Sequence, residues 1–326
     1  MLNKEDVKGL LKDRLREAKD HLEELMESLR TLFEPIAPPK EALERQRYFC
    51  GVNSEDLAGL KANEPKRVAL YKLTASLIRA YAELAPEMTE AGYTTLQAED
   101  IRNEVEYFTT VRGEIKIASA DYIDMKKYEP DMRHLIDTYI SAEESRTVSA
   151  LDDMSLIELM IARGADFVHE LPKGIKGNEK AAAETIDNNV RRRIVEKTAT
   201  NPKYFDKMSV LLKELIDERK RATISYEEYL QRVVALTRKV EKPETSINYP
   251  NSIKKSRALM SLYDNMGRDE ELASKLHGQI MLKKQDGWRG DPIKSRGMRG
   301  IIYSCIGDDE EQIKRIFKIA ESQGEY

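Results

Sequence analysis

Cysteine occurs twice in the 326 residues, at Cys50 and Cys305, and tryptophan once, at Trp288. Two cysteines are too few for a disulfide framework or a cysteine-based zinc site. The four histidines, His21, His134, His169 and His277, are scattered. None stands with another His, Cys or paired carboxylate in a recognisable ligand spacing, and no Ser/His/Asp order can be built from them. No apolar run approaches the ~20 residues needed to cross a bilayer, and the N-terminus lacks the charged-then-apolar layout of a signal peptide. The expectation is a cytoplasmic protein with no membrane partner.

Glycine and proline are also sparse, at 16 and 11 residues, whereas 34% of the chain is charged. That balance favours a helix-rich protein over a sandwich or barrel. The expected fold class is all-α, a multi-helix, bundle-like assembly with short loops. A net charge of −4 does not describe a dedicated polyanion binder. Charge is nevertheless segregated. Residues 187 to 221 carry ten Lys/Arg against six Asp/Glu, 251 to 300 carry eleven against six, and the first 60 carry ten against thirteen.

Between Glu5 and Phe33, Leu11, Leu15, Ala18, Leu22, Leu25, Leu29 and Leu32 recur in steps of four and three. This is a heptad seam of about three repeats, and it predicts a long helix. The seam fits an intramolecular bundle better than a dimerising coiled coil. Pro35 and Pro38-Pro39 stop it. Short helical pieces follow over 42 to 60, interrupted at Gly51-Val52-Asn53, and then a longer helix after Pro65. The stretch from Ala98 to about Ala120 reads as one helix, although Val111, Ile115 and Ile117 also tolerate a strand. Another helix is expected from Glu129-Pro130, and one over 156 to 161 that ends at Gly164. Leu171 to Asn178, with a proline and two glycines, is the clearest candidate linker. It divides an N-terminal subdomain, 1–172, from a C-terminal one, 179–326.

The second half centres on a helical hairpin over 202–240. Asn201 can cap a helix that starts on Pro202, with Phe205, Met208, Leu211, Leu212, Leu215 and Ile216 on one face. Ser225-Tyr226-Glu227-Glu228 has the pattern of a capping box. Lys220 to Thr223 leaves only a short connection, so the two helices should fold back antiparallel. Helices resume over 252 to 285, around 294 to 306 and over 309 to 322, with the turn-rich Asp286 to Pro292 between them.

Three patterns suggest chemistry and fall short. Gly174 to Lys180 lacks the spacing and the Ser/Thr of a phosphate-binding loop. Glu114-Ile115-Lys116, with Asp100 upstream, has the residue order of a metal-dependent nuclease core, but such a core needs adjoining strands and the surroundings read as helix. Arg191-Arg192-Arg193 would point about 100° apart on a helix. To neutralise several phosphates they would need Lys203, Lys197 or the 283 to 299 group beside them. Pairing with nearby acids is the plainer reading. Trp288 beside Arg289 could stack on a base, but core or interface is the safer placement. The candidate interface or DNA contacts are therefore Arg191, Arg192, Arg193, Lys203, Trp288 and Arg289, with no catalytic, cofactor-binding or metal residue.

Several stretches together carry a resemblance: Ala183 to Arg191, Asn201 to Ser209, Ile224 to Leu230, Tyr128 to Asp137, Tyr263-Asp264-Asn265, Asp286 to Gly290 and Glu325-Tyr326. They resemble the C-terminal helical region of the R (restriction, motor) subunit of type I restriction-modification enzymes, in order along essentially the whole chain. In that family the nuclease core and two ATP-driven translocase domains precede this region, and their motifs do not occur here. The resemblance implies a C-terminal fragment that is non-catalytic alone. It implies docking onto the M (methyltransferase) subunit of an R₂M₂S assembly and packing against the R subunit's own motor domains, with DNA reached through the assembled complex. ATP and Mg²⁺ would then serve the other domains of an ATP-dependent, site-specific deoxyribonuclease, and no cofactor would bind in this fragment. The rival expectation is a module that holds duplex DNA during translocation. An independent ATPase or nuclease is disfavoured by the missing motifs.

Overall fold

The structure, a computed structural model, describes residues 4–37, 41–121, 154–245 and 249–326. Among the described residues there are fourteen α-helices and no strand, as the composition predicts. The helix expected from Glu129-Pro130, the family-like stretch Tyr128 to Asp137 and His134 lie outside the described residues. Contacts gather the chain into two compact units, one of Met1–Leu159 with Asp166–Asn189, the other of Met160–Ala165 with Val190–Tyr326.

The first unit is built on α1 (Lys4–Phe33), α2 (Ala42–Cys50), α3 (Leu57–Ala62), α4 (Glu64–Leu84) and α5 (Thr95–Ser119). Helix α1 lies against α4, α4 against α5, and α2 against α5. The heptad positions Leu15, Leu22, Leu25 and Leu29 are buried in one core with Phe49, Leu70, Leu77, Val105 and Ile115. The seam is thus satisfied inside the unit, as expected for a bundle. Helix α5 settles the ambiguity at 111 to 117. It starts on a reciprocal capping box, with Thr94 and Gln97 each bonding the other's amide, and Val111 and Ile115 enter the core one turn apart. It ends where Ala120 takes φ +55°.

A buried cation ties the helix ends of this unit together. Arg67 donates from Nη1 to the carbonyls of Phe49 (3.0 Å) and Leu60 (2.7 Å), in the last turns of α2 and α3, and from Nε to Asp121 (2.5 Å). A positive charge at two helix C-termini is the favourable end of the helix dipole.

Helix α6 (Leu156–Arg163) begins with a Ser155/Glu158 capping box and stops at Gly164, which takes φ +62°. Residues 173–176, within the stretch read as a linker, form a turn of helix, α7 (Lys173–Lys176), with Leu171 and Ile175 buried. Helix α8 (Glu179–Thr198) belongs to the first unit as far as Asn189 and to the second from Val190.

In the second unit, α9 (Pro202–Lys220) and α10 (Tyr226–Glu241) form the expected hairpin. Tyr204 at the start of α9 donates to the Lys239 carbonyl near the end of α10, at 2.9 Å, and Arg232 pairs with Glu218 near the turn, so the helices are antiparallel. Only half of the expected capping box forms. Ser225 Oγ accepts from the Glu228 amide (3.1 Å), but the Glu228 carboxylate turns to Arg232 (3.5 Å), an ion pair one helical turn on. The remaining helices, α11 (Arg257–Asn265), α12 (Glu270–Lys283), α13 (Pro292–Ile306) and α14 (Glu310–Glu321), pack in sequence, and α14 closes back on α11. Their core includes Leu262, Leu276, Trp288, Met298, Ile302, Ile316 and Phe317.

Candidate functional site

The side chains that give the sequence its family-like wording converge on helix ends. Asn201 caps α9 by accepting from the Tyr204 amide (3.3 Å). Its own amide nitrogen donates to Asp264 Oδ2 (2.8 Å), and its oxygen also accepts from Asn265 Nδ2 (2.8 Å). Tyr249 Oη donates to the same Asp264 oxygen at 2.5 Å, and burial together with that carboxylate pushes the Tyr249 phenol well above its ordinary range. Ser261 and Gln323 both donate to the Thr200 carbonyl at 2.6 Å. Asn201, Asp264 and Asn265 are all buried, so the cluster is a fully engaged polar staple rather than an open site.

The same logic recurs elsewhere. In the first unit Asn188 and Asn189 donate to the carbonyls of Ala118 (3.0 Å) and Ile117 (2.7 Å), the last turn of α5. In the second unit Glu325 accepts from Ser256 Oγ (2.5 Å) and the Ala258 amide (3.1 Å), at the N-terminus of α11. Burial alone would raise the Glu325 carboxyl, but these bonds hold it below the usual carboxylate range.

The candidate contact residues are mostly occupied. Arg192 pairs with Glu196 (3.2 Å), and Arg193 pairs with both Glu196 (3.2 Å) and Glu241 (2.6 Å). Lys197 joins Glu241 at 2.7 Å, and Arg191 is half-buried and engaged within the chain. Arg193 and Lys197 of α8 therefore hold the C-terminal end of α10. Burial would raise the Glu241 carboxyl, but hydrogen bonds from Arg193 and Lys197 bring it below its ordinary value.

Trp288 is only 2% exposed, and its ring meets Phe317 edge-on at 5.6 Å, so it belongs to the core. Arg289 crosses Trp288 at 5.1 Å and donates to the carbonyls of Glu321 (2.8 Å) and Gln323, closing the C-terminus of α14. Of the six candidates, Lys203 alone is exposed without a partner among the described residues.

The chemical decoys resolve in the same way. Glu114 lies in α5, is 3% exposed and takes a salt bridge from Arg45 at 2.8 Å; Lys116 lies over the Tyr71 ring at 5.6 Å. Gly174 is packed against the Glu114 carboxylate, and Lys176 donates to the His169 carbonyl at 3.2 Å. His277 meets Tyr326 Oη at 2.7 Å, and burial lowers its pKa. Among the described residues no three His, Cys, Asp or Glu side chains gather where they could hold a metal, and no helix is long and apolar enough to cross a membrane.

What the sequence reading missed lies on the outside of the second unit. Leu282 of α12 is 77% exposed, and Ile293 and Tyr303 of α13 are 80% and 56% exposed. A depression lined by Arg299, Gly300, Tyr303, Glu310, Ile313 and Lys314 runs between α13 and α14. The signal was present in Ser295-Arg296-Gly297-Met298-Arg299-Gly300, a helical segment with two glycines and no acid.

The chain is an all-α protein whose distinctive polar residues fasten helix ends to one another. The chain belongs to the family described as "Type I restriction enzyme HindI endonuclease subunit-like, C-terminal", which matches residues 6–274. Neither a curated protein nor a solved structure matches it.

Proposed function

We propose that the chain is a docking module of a type I restriction enzyme R subunit. In this reading it seats the subunit on the M (methyltransferase) subunit, packs against the ATP-driven motor domains, and performs no catalysis itself. ATP and Mg²⁺ serve those other domains, and DNA is met through the assembled complex in the cytoplasm. The observation that carries the reading is the exposed apolar side chains of α12 and α13, Leu282, Ile293 and Tyr303, while the family-like polar residues are tied up holding helices. Exposed large apolar residues beside a basic rim fit a protein partner. The reading is tested by competition. The chain, added in excess, should displace full-length R subunit from the M₂S methyltransferase and suppress ATP-dependent cleavage; no displacement at any excess refutes it.

A second reading, a module that holds duplex DNA, draws on Lys203 and Arg296, which are exposed without partners among the described residues. It predicts salt-sensitive duplex binding by the chain. Charge reversal at Arg192 or Arg193 would break the pairs with Glu196 and Glu241, so Lys203→Glu and Arg296→Glu are the cleaner probes.

A further inference from the structure

Helix α13 presents a face that the fold does not use. At 100° per residue, Ile293, Arg296, Gly300 and Tyr303 fall opposite the buried Met298 and Ile302, and all four are exposed. Gly297 and Gly300 are helical and lack positive φ, and a Cβ built on either would meet nothing within 4 Å. Two interior glycines weaken a helix relative to alanine, and nothing among the described residues requires them. The helix carries Lys294, Arg296 and Arg299 and no acidic residue, in a chain whose net charge is −4. Lys294 is turned to the Asp286 carbonyl (2.7 Å) and Arg299 lies over Phe317 (4.8 Å), and Arg296 at the rim has no partner among the described residues. The family match ends at residue 274, before α13 begins.

We infer that this face is the seat of an acidic amphipathic helix of the docked partner. The inference rests on the docking reading and names the surface and the chemistry that performs it. The glycines let a second helix axis approach closely, Ile293 and Tyr303 cover its apolar edge, and Arg296 and Arg299 meet carboxylates on its flanks. Charge argues against the other occupants. A second copy related by a two-fold axis would set Arg296 and Arg299 against the same two cations. A duplex would neutralise the cations, but it gains nothing from an isoleucine left 80% exposed or from the glycine floor.

The test titrates the M₂S methyltransferase with the whole chain and its variants. Gly300→Leu, Ile293→Asp and Arg296→Glu should each weaken binding at least tenfold, whereas Lys203→Glu should bind as wild type. Gly297→Ala with Gly300→Ala should raise the thermal midpoint of the chain alone and yet weaken binding, a pairing of signs that simple misfolding cannot produce. If wild type binds and the α13 variants bind equally well, the face is wrong and docking stands. If wild type does not bind, the docking reading falls and takes the face with it. Two further results overturn the assignment of occupant: duplex binding sensitive to Arg296→Glu but not to Gly300→Leu, or a self-dimer abolished by Gly300→Leu.

Discussion

Asn201 donates from Nδ2 to Asp264 Oδ2 at 2.8 Å across 63 positions of sequence, and so joins the cap of α9 to the end of α11. Its oxygen serves the Tyr204 amide and Asn265 at once. Asn201→Ala should therefore lose a helix cap and one hydrogen bond each to the buried Asp264 and Asn265, which keep Tyr249 and the Ser261 carbonyl, for a combined cost of about 2–3 kcal/mol. Urea unfolding should show the loss as a lower midpoint, while Lys203→Ala, two residues away and exposed, should stay within about 0.5 kcal/mol of wild type.

Gly174 and Gly113 should respond to alanine with opposite signs. A Cβ at Gly174 would fall 1.9 Å from Glu114 Oε1, and that carboxylate is buried and held by Arg45. Gly174→Ala must push the pair apart or lift α7, at a cost of about 1–3 kcal/mol. Gly113, in the middle of α5, has nothing within 4 Å, so Gly113→Ala should stabilise by about 0.5–1 kcal/mol. Thermal melts of the two variants check both signs.

The Arg193, Lys197 and Glu241 cluster predicts an acid-sensitive joint between α8 and α10. The folded Glu241 carboxyl lies below its ordinary value. Its contribution is therefore complete above the unfolded glutamate value of ~4.3 and is lost as pH falls through the lower folded value. Stability measured from pH 6 down to 3 should fall less steeply in Glu241→Gln, which starts lower at neutral pH. Equal slopes would place the acid sensitivity elsewhere.

Cys50 is buried, and that burial pushes its thiol up to about 12, whereas Cys305 is partly exposed. A thiolate-specific reagent at pH 8 should label one cysteine per folded chain, Cys305, and a second only after denaturation. Rapid labelling of both under native conditions would contradict the packing of α2.

The helices were legible because their signals are local. The heptad leucines of α1, Asn201-Pro202 and the short Lys220 to Thr223 connection each declare themselves within a few residues. The reciprocal half of the Ser225 cap was not, because Arg232 competes for Glu228, and no cap rule weighs an ion pair formed a turn later. Family wording around Asn201, Asp264-Asn265 and Glu325 was visible as wording, but its role in binding helix ends depends on contacts dozens of residues apart. The arginines of α8 drew attention as a cluster, and the cross-helix partner of Arg193, Glu241, is 48 positions away. The exposed face of α13 stayed hidden because a periodic pattern tells which side is apolar, and here the telling residues are two glycines and an isoleucine on the other side.

The most direct test of the account is sedimentation of the purified chain with the M₂S methyltransferase at physiological salt, without DNA. The account predicts a stable complex of the two, reduced by Ile293→Asp. A chain that sediments alone in that mixture, yet shifts with added duplex, would contradict it.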